Sequence, residues 1–81
     1  MLSFRHEVFF EVANLLSFTK ASQVLNLSQP AISKHIKALE ERYKTSLFER
    51  IGNGIKLTDP GRILLTHLRQ AKEVQIRLNM N

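Results

Sequence analysis

The sequence contains no cysteine among its 81 residues. Disulfide bonds and thiolate metal sites are therefore excluded. Its three histidines, at positions 6, 35 and 67, are far apart and lack the spacing of a metal-ligand set. No nucleophile–base pair or carboxylate pair is spaced to act together. We therefore expect no metal, no cofactor and no enzymatic activity.

Long hydrophobic runs are also absent, since no apolar run exceeds three residues, as at 8–10 and 63–65. A membrane span or a secretory signal requires a much longer run, so neither is predicted and a cytoplasmic protein is favoured. The length indicates one small domain, and 43% hydrophobic residues suffice for one modest core.

Acidic residues are scarce, with seven Asp and Glu against twelve Lys and Arg, which gives a net charge of +5. The excess is concentrated between residues 20 and 56, where seven cations stand against three glutamates. This balance favours an anionic partner without identifying it.

The stretch from residue 28 to residue 43 is typical of one helix. Ser28 suits the N-cap, and Pro30 falls in the first turn, where its missing N–H costs nothing. One side carries an apolar stripe, and the other side begins with short polar groups and lysines. That polar side is either an ordinary solvated face or a surface for the major groove of DNA.

Two helices are predicted before this one. The first begins after Ser3 and ends near residue 15, and the second covers residues 18–25 with Ser17 or Thr19 as its cap. In the second helix, Val24 is expected to face inward with its apolar neighbours. The three-residue turn at 26–28 forces the helices to cross steeply, as in a helix-turn-helix.

A two-stranded hairpin follows, with short apolar alternation on either side of the turn at 52–54. Leu47 or Phe48, together with Leu57, is expected to anchor it to the helices, because an isolated hairpin is only marginally stable. Arg50 and Lys56 flank its tip. A helix-turn-helix followed directly by a basic hairpin is a much more specific sequence signal than either part alone.

The last predicted helix starts near Thr58 and runs to about residue 78. Its apolar positions repeat in steps of four and three residues, as in a coiled-coil seam. Its first turns are expected to pack on the domain and its distal half on a partner. The predicted seam consists of Leu64, Leu68, Ala71, Gln75 and Leu78.

Five linked stretches, at 17–22, 27–34, 39–41, 47–50 and 57–61, resemble the N-terminal domain of LysR-type transcriptional regulators. The resemblance implies a mainly α winged helix-turn-helix, a three-helix core with a two-stranded wing, over residues 1–58. It implies a long linker helix over 59–81 that forms a homodimer. It also implies that the protein binds double-stranded DNA at an inverted-repeat operator. A small-molecule effector would bind only to a separate C-terminal domain outside these residues.

Carried over by position, the resemblance assigns the major groove to residues 28–43 and the backbone and minor groove to the wing at 47–58. The expected base contacts are Gln29, Pro30, Ser33 and Lys34. The expected backbone contacts are Thr19, Lys37, Arg50, Asn53 and Lys56. A winged-helix module that binds protein instead of DNA is the alternative, and Lys34 and Lys37 argue against it.

Three positions depart from the family pattern. Lys34 stands where arginine is common, and a lysine cannot form the planar fork that discriminates bases well. Lys44 stands where glycine usually ends the recognition helix, which predicts strain if the left-handed cap is kept. Asn53 occupies a wing-tip position where an arginine often reaches the minor groove.

Overall fold

A computed structural model describes residues 3–79 as three short helices, a β-hairpin and a long final helix. The elements are α1 (Phe4–Leu15), α2 (Phe18–Leu25), α3 (Gln29–Tyr43), β1 (Phe48–Ile51), β2 (Gly54–Leu57) and α4 (Asp59–Asn79). The predicted winged helix-turn-helix with a long final helix is confirmed. The outer ends of the two predicted units, at 1–2 and 80–81, lie outside the described residues.

A hydroxyl side chain caps the start of each helix. The Oγ atoms of Ser3, Ser17 and Ser28 each accept a hydrogen bond from the backbone N–H three residues later, at 3.0–3.3 Å. The Thr58 hydroxyl accepts from the Gly61 N–H at 3.1 Å and does the same for α4. Because these caps satisfy otherwise unpaired N–H groups, they fix where each helix begins.

Three helices end on a residue other than glycine in the left-handed conformation, namely Leu16, Asn26 and Lys44, with φ of 48°, 55° and 56°. The expected cap at Lys44 is thus kept, and its N–H donates to the carbonyl of Glu40. A side chain in this conformation costs about 1 kcal/mol relative to glycine. The same conformation at Leu16 was not predicted.

The core lies where α1 and α3 cross, and Leu47 and α4 close it. The largest fully buried side chains are Phe9, Ile32, Leu39, Leu47, Val8 and Val12. A Cβ on Gly61 would overlap the Leu47 carbonyl oxygen, so glycine lets the α4 backbone lie directly against the start of the wing. The prediction for Val24 is wrong, because its side chain is 63% exposed.

The wing is an antiparallel pair with Phe48 opposite Leu57 and Glu49 opposite Lys56. The Phe48 ring packs against Phe9 and Phe18, with ring centroids 5.3 and 6.1 Å apart. Leu47 is buried and Leu57 partly buried against the core, so the predicted anchoring is confirmed. Gly52 takes positive φ at the first of two loop positions, a conformation that glycine adopts without strain.

The part of α4 up to Lys72 packs on α1. The Lys72 ammonium pairs with Glu7 at 2.5 Å and lies 4.7 Å from the centre of the Phe10 ring, and Arg69 donates to the Asn14 side chain at 3.0 Å. None of the helices among residues 3–79 has the length and apolarity needed to cross a membrane.

The predicted seam of α4 is partly wrong. Leu68 is 4% exposed and belongs to the core of its own domain, and Leu64 is partly buried against that core. A different side of the helix stays open to solvent. We call this side the α4 stripe, and it consists of Ile63, His67, Ala71, Val74 and Leu78. Ala71 and Leu78 belong both to the predicted seam and to the α4 stripe. Gln75, the remaining residue of the predicted seam, is exposed.

Candidate nucleic-acid interface

The first half of α3 presents a continuous polar surface. The helix buries Ile32, Ile36 and Leu39 against the other helices, because these residues recur on one side at helical spacing. The four predicted base contacts and one predicted backbone contact of α3 lie on the remaining surface and are exposed. The base contacts are Gln29, Pro30, Ser33 and Lys34, and the backbone contact is Lys37. The burial of the apolar stripe therefore leaves this polar row free to contact another molecule.

A groove lies between the starts of α2 and α3 and the wing. Its lining includes five of the predicted DNA contacts, which come from three different elements: Thr19, Gln29, Ser33, Arg50 and Asn53. The other lining residues are Leu16, Ser17, Phe18, Gly54 and Ile55. No lining residue is acidic, so the Arg50 guanidinium determines the charge of this groove.

The strand register explains why Arg50 reaches this groove. Side chains alternate between the two faces of a strand, so Arg50 shares a face with Phe48, which packs on the core. Opposite Arg50 across the hairpin is Ile55, which also lines the groove. The wing thus directs one cation back toward the first turn of α3.

Lys56 lies on the other face of the wing. Its ammonium forms an ion pair with the Glu49 carboxylate at 2.9 Å, and both side chains are about half exposed. Together they line a separate depression that also contains Asp59 and Arg62. The structure therefore does not bring Lys56 together with the other predicted contacts, and the Glu49 carboxylate offsets its charge, whereas Asp59 pairs with Arg62.

Within the groove, Gln29 and Thr19 are joined by a hydrogen bond. The Gln29 side-chain amide donates to the Thr19 hydroxyl oxygen at 3.2 Å. The two residues stand in the first turns of α3 and α2, so the contact depends on how these helices cross. It links a predicted base contact to a predicted backbone contact.

Two of the acidic groups near α3 are engaged elsewhere. The Glu40 carboxylate accepts a hydrogen bond from the Leu47 N–H at 2.8 Å and so connects α3 to the wing. Glu49 is paired with Lys56. Glu41 lies one turn after Lys37 on α3 and is exposed, so the basic surface formed by Lys34 and Lys37 ends at that carboxylate.

A polar network closes the far end of α3. One ring nitrogen of His6 lies 2.5 Å from the Ser3 hydroxyl, and the other lies 2.6 Å from the Tyr43 hydroxyl. Burial lowers the pKa of His6 below its ordinary value of 6.5, and the nearby Arg42 guanidinium lowers it further. The neutral imidazole is thus favoured, and this network serves the fold and lies away from the groove.

Five of the groove residues were not among the predicted contacts, namely Leu16, Ser17, Phe18, Gly54 and Ile55. The sequence offers Ser17 as a possible helix cap, and Phe18 is one of the apolar neighbours of Val24 that are expected to face inward. Each does have that role, because the Ser17 hydroxyl caps α2 and Phe18 packs on Phe48. No sequence signal distinguishes a cap or core residue that also forms the wall of a groove. Among residues 3–79, no cluster of three or more His, Asp or Glu side chains could hold a metal ion.

Comparison with known proteins shows which family this chain belongs to. Residues 5–62 match the model for bacterial regulatory helix-turn-helix proteins of the lysR family. The transcriptional regulator PcaQ of Agrobacterium fabrum is 42% identical over 67 residues, which are 82% of this chain and 22% of PcaQ. The chain thus spans about a fifth of the length of that relative.

Two solved structures are similar over most of the chain. A LysR-family transcriptional regulator from Eggerthella lenta has a TM-score of 0.79 and 40% identity, covering 85% of this chain and 99% of that one. The BenM DNA-binding domain, solved in complex with its catB site 1 DNA, has a TM-score of 0.84 and 30% identity. That alignment covers 99% of this chain and 90% of the BenM chain.

Proposed function

The chain belongs to the lysR family of bacterial regulatory helix-turn-helix proteins, and we propose that it binds an inverted-repeat DNA operator as a homodimer. The observation that carries this proposal is the groove free of acidic side chains beside the polar row of α3. A helix with one buried stripe and an exposed polar N-terminal half suits a major groove. The similar BenM domain was solved on DNA, which supports the same partner here.

The first turns of α3 provide the base contacts in this proposal. Gln29 can pair with both major-groove atoms of adenine, the Pro30 ring can meet a thymine methyl, and Lys34 can donate to guanine acceptors. Ser33 follows Gln29 by one turn and lines the same groove. All four side chains are exposed or stand beside the groove, so base edges can reach them without rearrangement of the core.

The backbone contacts surround this row. Thr19 and Arg50 line the same groove as Gln29, and Lys37 extends the row of α3 by one turn. Such contacts fix the register of the protein on the duplex without reading sequence. Asn53 at the wing tip offers a short polar side chain. Lys56 contributes least, because Glu49 already neutralises it.

The α4 stripe provides the dimer contact in this proposal. Val74 and Leu78 are 57% and 69% exposed, and Ile63 is 61% exposed on the same side. A second copy of α4 would cover these side chains, and contiguous apolar surface on a small domain commonly marks such a contact. Two-fold symmetry then requires an operator with two inverted half-sites.

The proposal divides the chain into a DNA-binding unit at residues 1–58 and a dimerisation helix at 59–81. In a whole regulator, the small-molecule effector would bind only in a separate C-terminal domain. A protein that binds the bacterial chromosome acts in the cytoplasm, and we place this one there. The role is that of a transcription regulator and involves no catalysis.

The direct test is the selection of bound duplexes from a random pool, followed by titration of the best site and of random DNA. Gln29→Ala and Lys34→Ala should each cost about 1–3 kcal/mol on the best site and much less on random DNA. Lys37→Ala is the matched control on the same helix and should weaken both DNAs alike. Equal losses on both DNAs for Gln29→Ala would contradict its assignment to base reading.

A further inference from the structure

The hydrogen bond between Thr19 and Gln29 constrains what Gln29 can read. We propose that Thr19 is a positioning residue that fixes the orientation of the Gln29 amide, so that Gln29 selects adenine over guanine. The inference rests on the proposed function, in which Gln29 reads a base and Thr19 touches a phosphate. It adds a determinant of specificity that itself contacts no base.

The argument starts from the single hydrogen of the Thr19 hydroxyl. A hydroxyl donates once and accepts through two lone pairs. The Gln29 amide donates to this oxygen at 3.2 Å, so the hydroxyl hydrogen remains available for another acceptor. Thr19 is exposed in the first turn of α2, where a phosphate oxygen could take that hydrogen.

A bound phosphate then fixes the direction of the contact. Phosphate oxygens only accept, so a hydroxyl that donates to one has only lone pairs left for Gln29. If the Gln29 amide turned over, its carbonyl oxygen would face the hydroxyl oxygen with no hydrogen between them. The NH2 group of Gln29 must therefore point at Thr19, and the carbonyl oxygen of Gln29 must point elsewhere.

The Gln29 side chain consequently offers a base one acceptor, its carbonyl oxygen, and one donor, the N–H that does not contact Thr19. Adenine presents a donor at N6 and an acceptor at N7 in the major groove, which match this pattern. Guanine presents two acceptors, O6 and N7, so the Gln29 carbonyl oxygen would oppose O6. Among the described residues, Thr19 is the hydrogen-bond partner of the Gln29 side chain, and Ser33 and Arg50 only share the groove.

The experiment uses the intact 81-residue chain and the best selected site. Each half-site position is changed to all four base pairs, and the position read by Gln29 is the one where Gln29→Ala abolishes discrimination. Thr19→Val removes the hydroxyl and keeps the shape of the side chain, and Thr19→Ser restores the hydroxyl. Both are also measured in the Gln29→Ala background, and thermal unfolding verifies that each variant is folded.

The wild type should prefer adenine to guanine at that position by on the order of tenfold. Thr19→Val should reduce the ratio of adenine to guanine affinity at that position toward one and leave the base preferences at the other positions unchanged. Thr19→Ser should retain the adenine preference. With Gln29→Ala present, Thr19→Val should lower affinity without changing any base preference.

Two results would overturn the inference while leaving the proposed function intact. One is a wild-type preference for guanine at the Gln29 position. The other is a Thr19→Val variant that binds all sites more weakly but keeps its adenine preference, which would make Thr19 a phosphate contact only. If Gln29→Ala abolishes discrimination nowhere, the assignment of Gln29 to base reading fails, and this inference fails with it.

Discussion

Glu49 and Lys56 face each other across the wing and form an ion pair of 2.9 Å, whereas Arg50, one residue further along β1, points to the opposite face and lines the groove beside α3. The two basic residues of the wing are thus not equivalent. One lies beside the proposed DNA contacts, and a carboxylate already balances the other.

This arrangement predicts different effects for the two wing cations. Arg50→Ala should weaken binding to all sequences and reduce the magnitude of the log–log salt slope by about one unit per subunit. Lys56→Ala should have a much smaller effect. Glu49→Gln should release the Lys56 charge and steepen the slope. Titration of these three variants over several salt concentrations is the measurement, and equal losses for Arg50→Ala and Lys56→Ala would contradict the assignment of faces.

The wing tip predicts a gain of function. Asn53 is uncharged, so the wing should contribute affinity and little sequence preference. An arginine there would be attracted by the negative potential of a narrow A·T-rich minor groove. Asn53→Arg should tighten binding, most strongly on sites with a flanking A-tract. The comparison uses paired sites that differ only in that tract. A strong A-tract preference in the wild type, with no gain in the variant, would assign minor-groove reading to another residue.

The α4 stripe predicts where dimerisation is sensitive to charge. Val74→Glu should disrupt the dimer, because Val74 lies on the stripe and is 57% exposed in one subunit. Ile76→Glu is the matched control, since Ile76 is 60% exposed and lies about 160° away around the helix. Sedimentation at tens of micromolar is the measurement. Monomers with Ile76→Glu and dimers with Val74→Glu would place the contact on the other side of α4.

The network around His6 predicts a pH dependence of stability. Its pKa is lower in the folded protein than the ordinary 6.5, so the unfolded chain binds the proton more tightly. The free energy of unfolding should therefore be highest above pH 6.5 and fall as the pH drops toward the folded pKa.

The measurement for this prediction is urea unfolding at pH values from above 6.5 to below it. His6→Gln should flatten the dependence in that window. His35→Gln is the matched control, because His35 lies on α3, outside the network and away from the α4 stripe. An unchanged profile in the His6→Gln protein would refute the role of this network.

Local signals predicted most of the fold. The serine caps and Pro30 determined the starts of α2 and α3, and the turn at 52–54 determined the hairpin, because each acts within a few residues of itself. Val24 and Leu68 were predicted wrongly for a shared reason. An apolar residue at helical spacing belongs to a stripe, but the pattern does not say whether its own core, a second subunit or solvent covers that stripe.

The sequence predicted which residues form the site, but it did not predict how they contact one another in space. The lysines and polar groups of α3 were identified from sequence and resemblance. The contact between Thr19 and Gln29 spans ten positions and depends on the crossing of α2 and α3. The separation of Arg50 from Lys56 depends on strand register, and a one-residue change in register would have exchanged their faces.

The most direct test of the central claim is the salt dependence of DNA binding by the wild-type chain on its best selected duplex. If three or four cations per subunit neutralise phosphates, a dimer should show a log–log slope of about −5 to −7, from about −0.9 per contact. A slope near zero would contradict DNA binding through α3 and the wing, and would favour a winged-helix module that binds another protein.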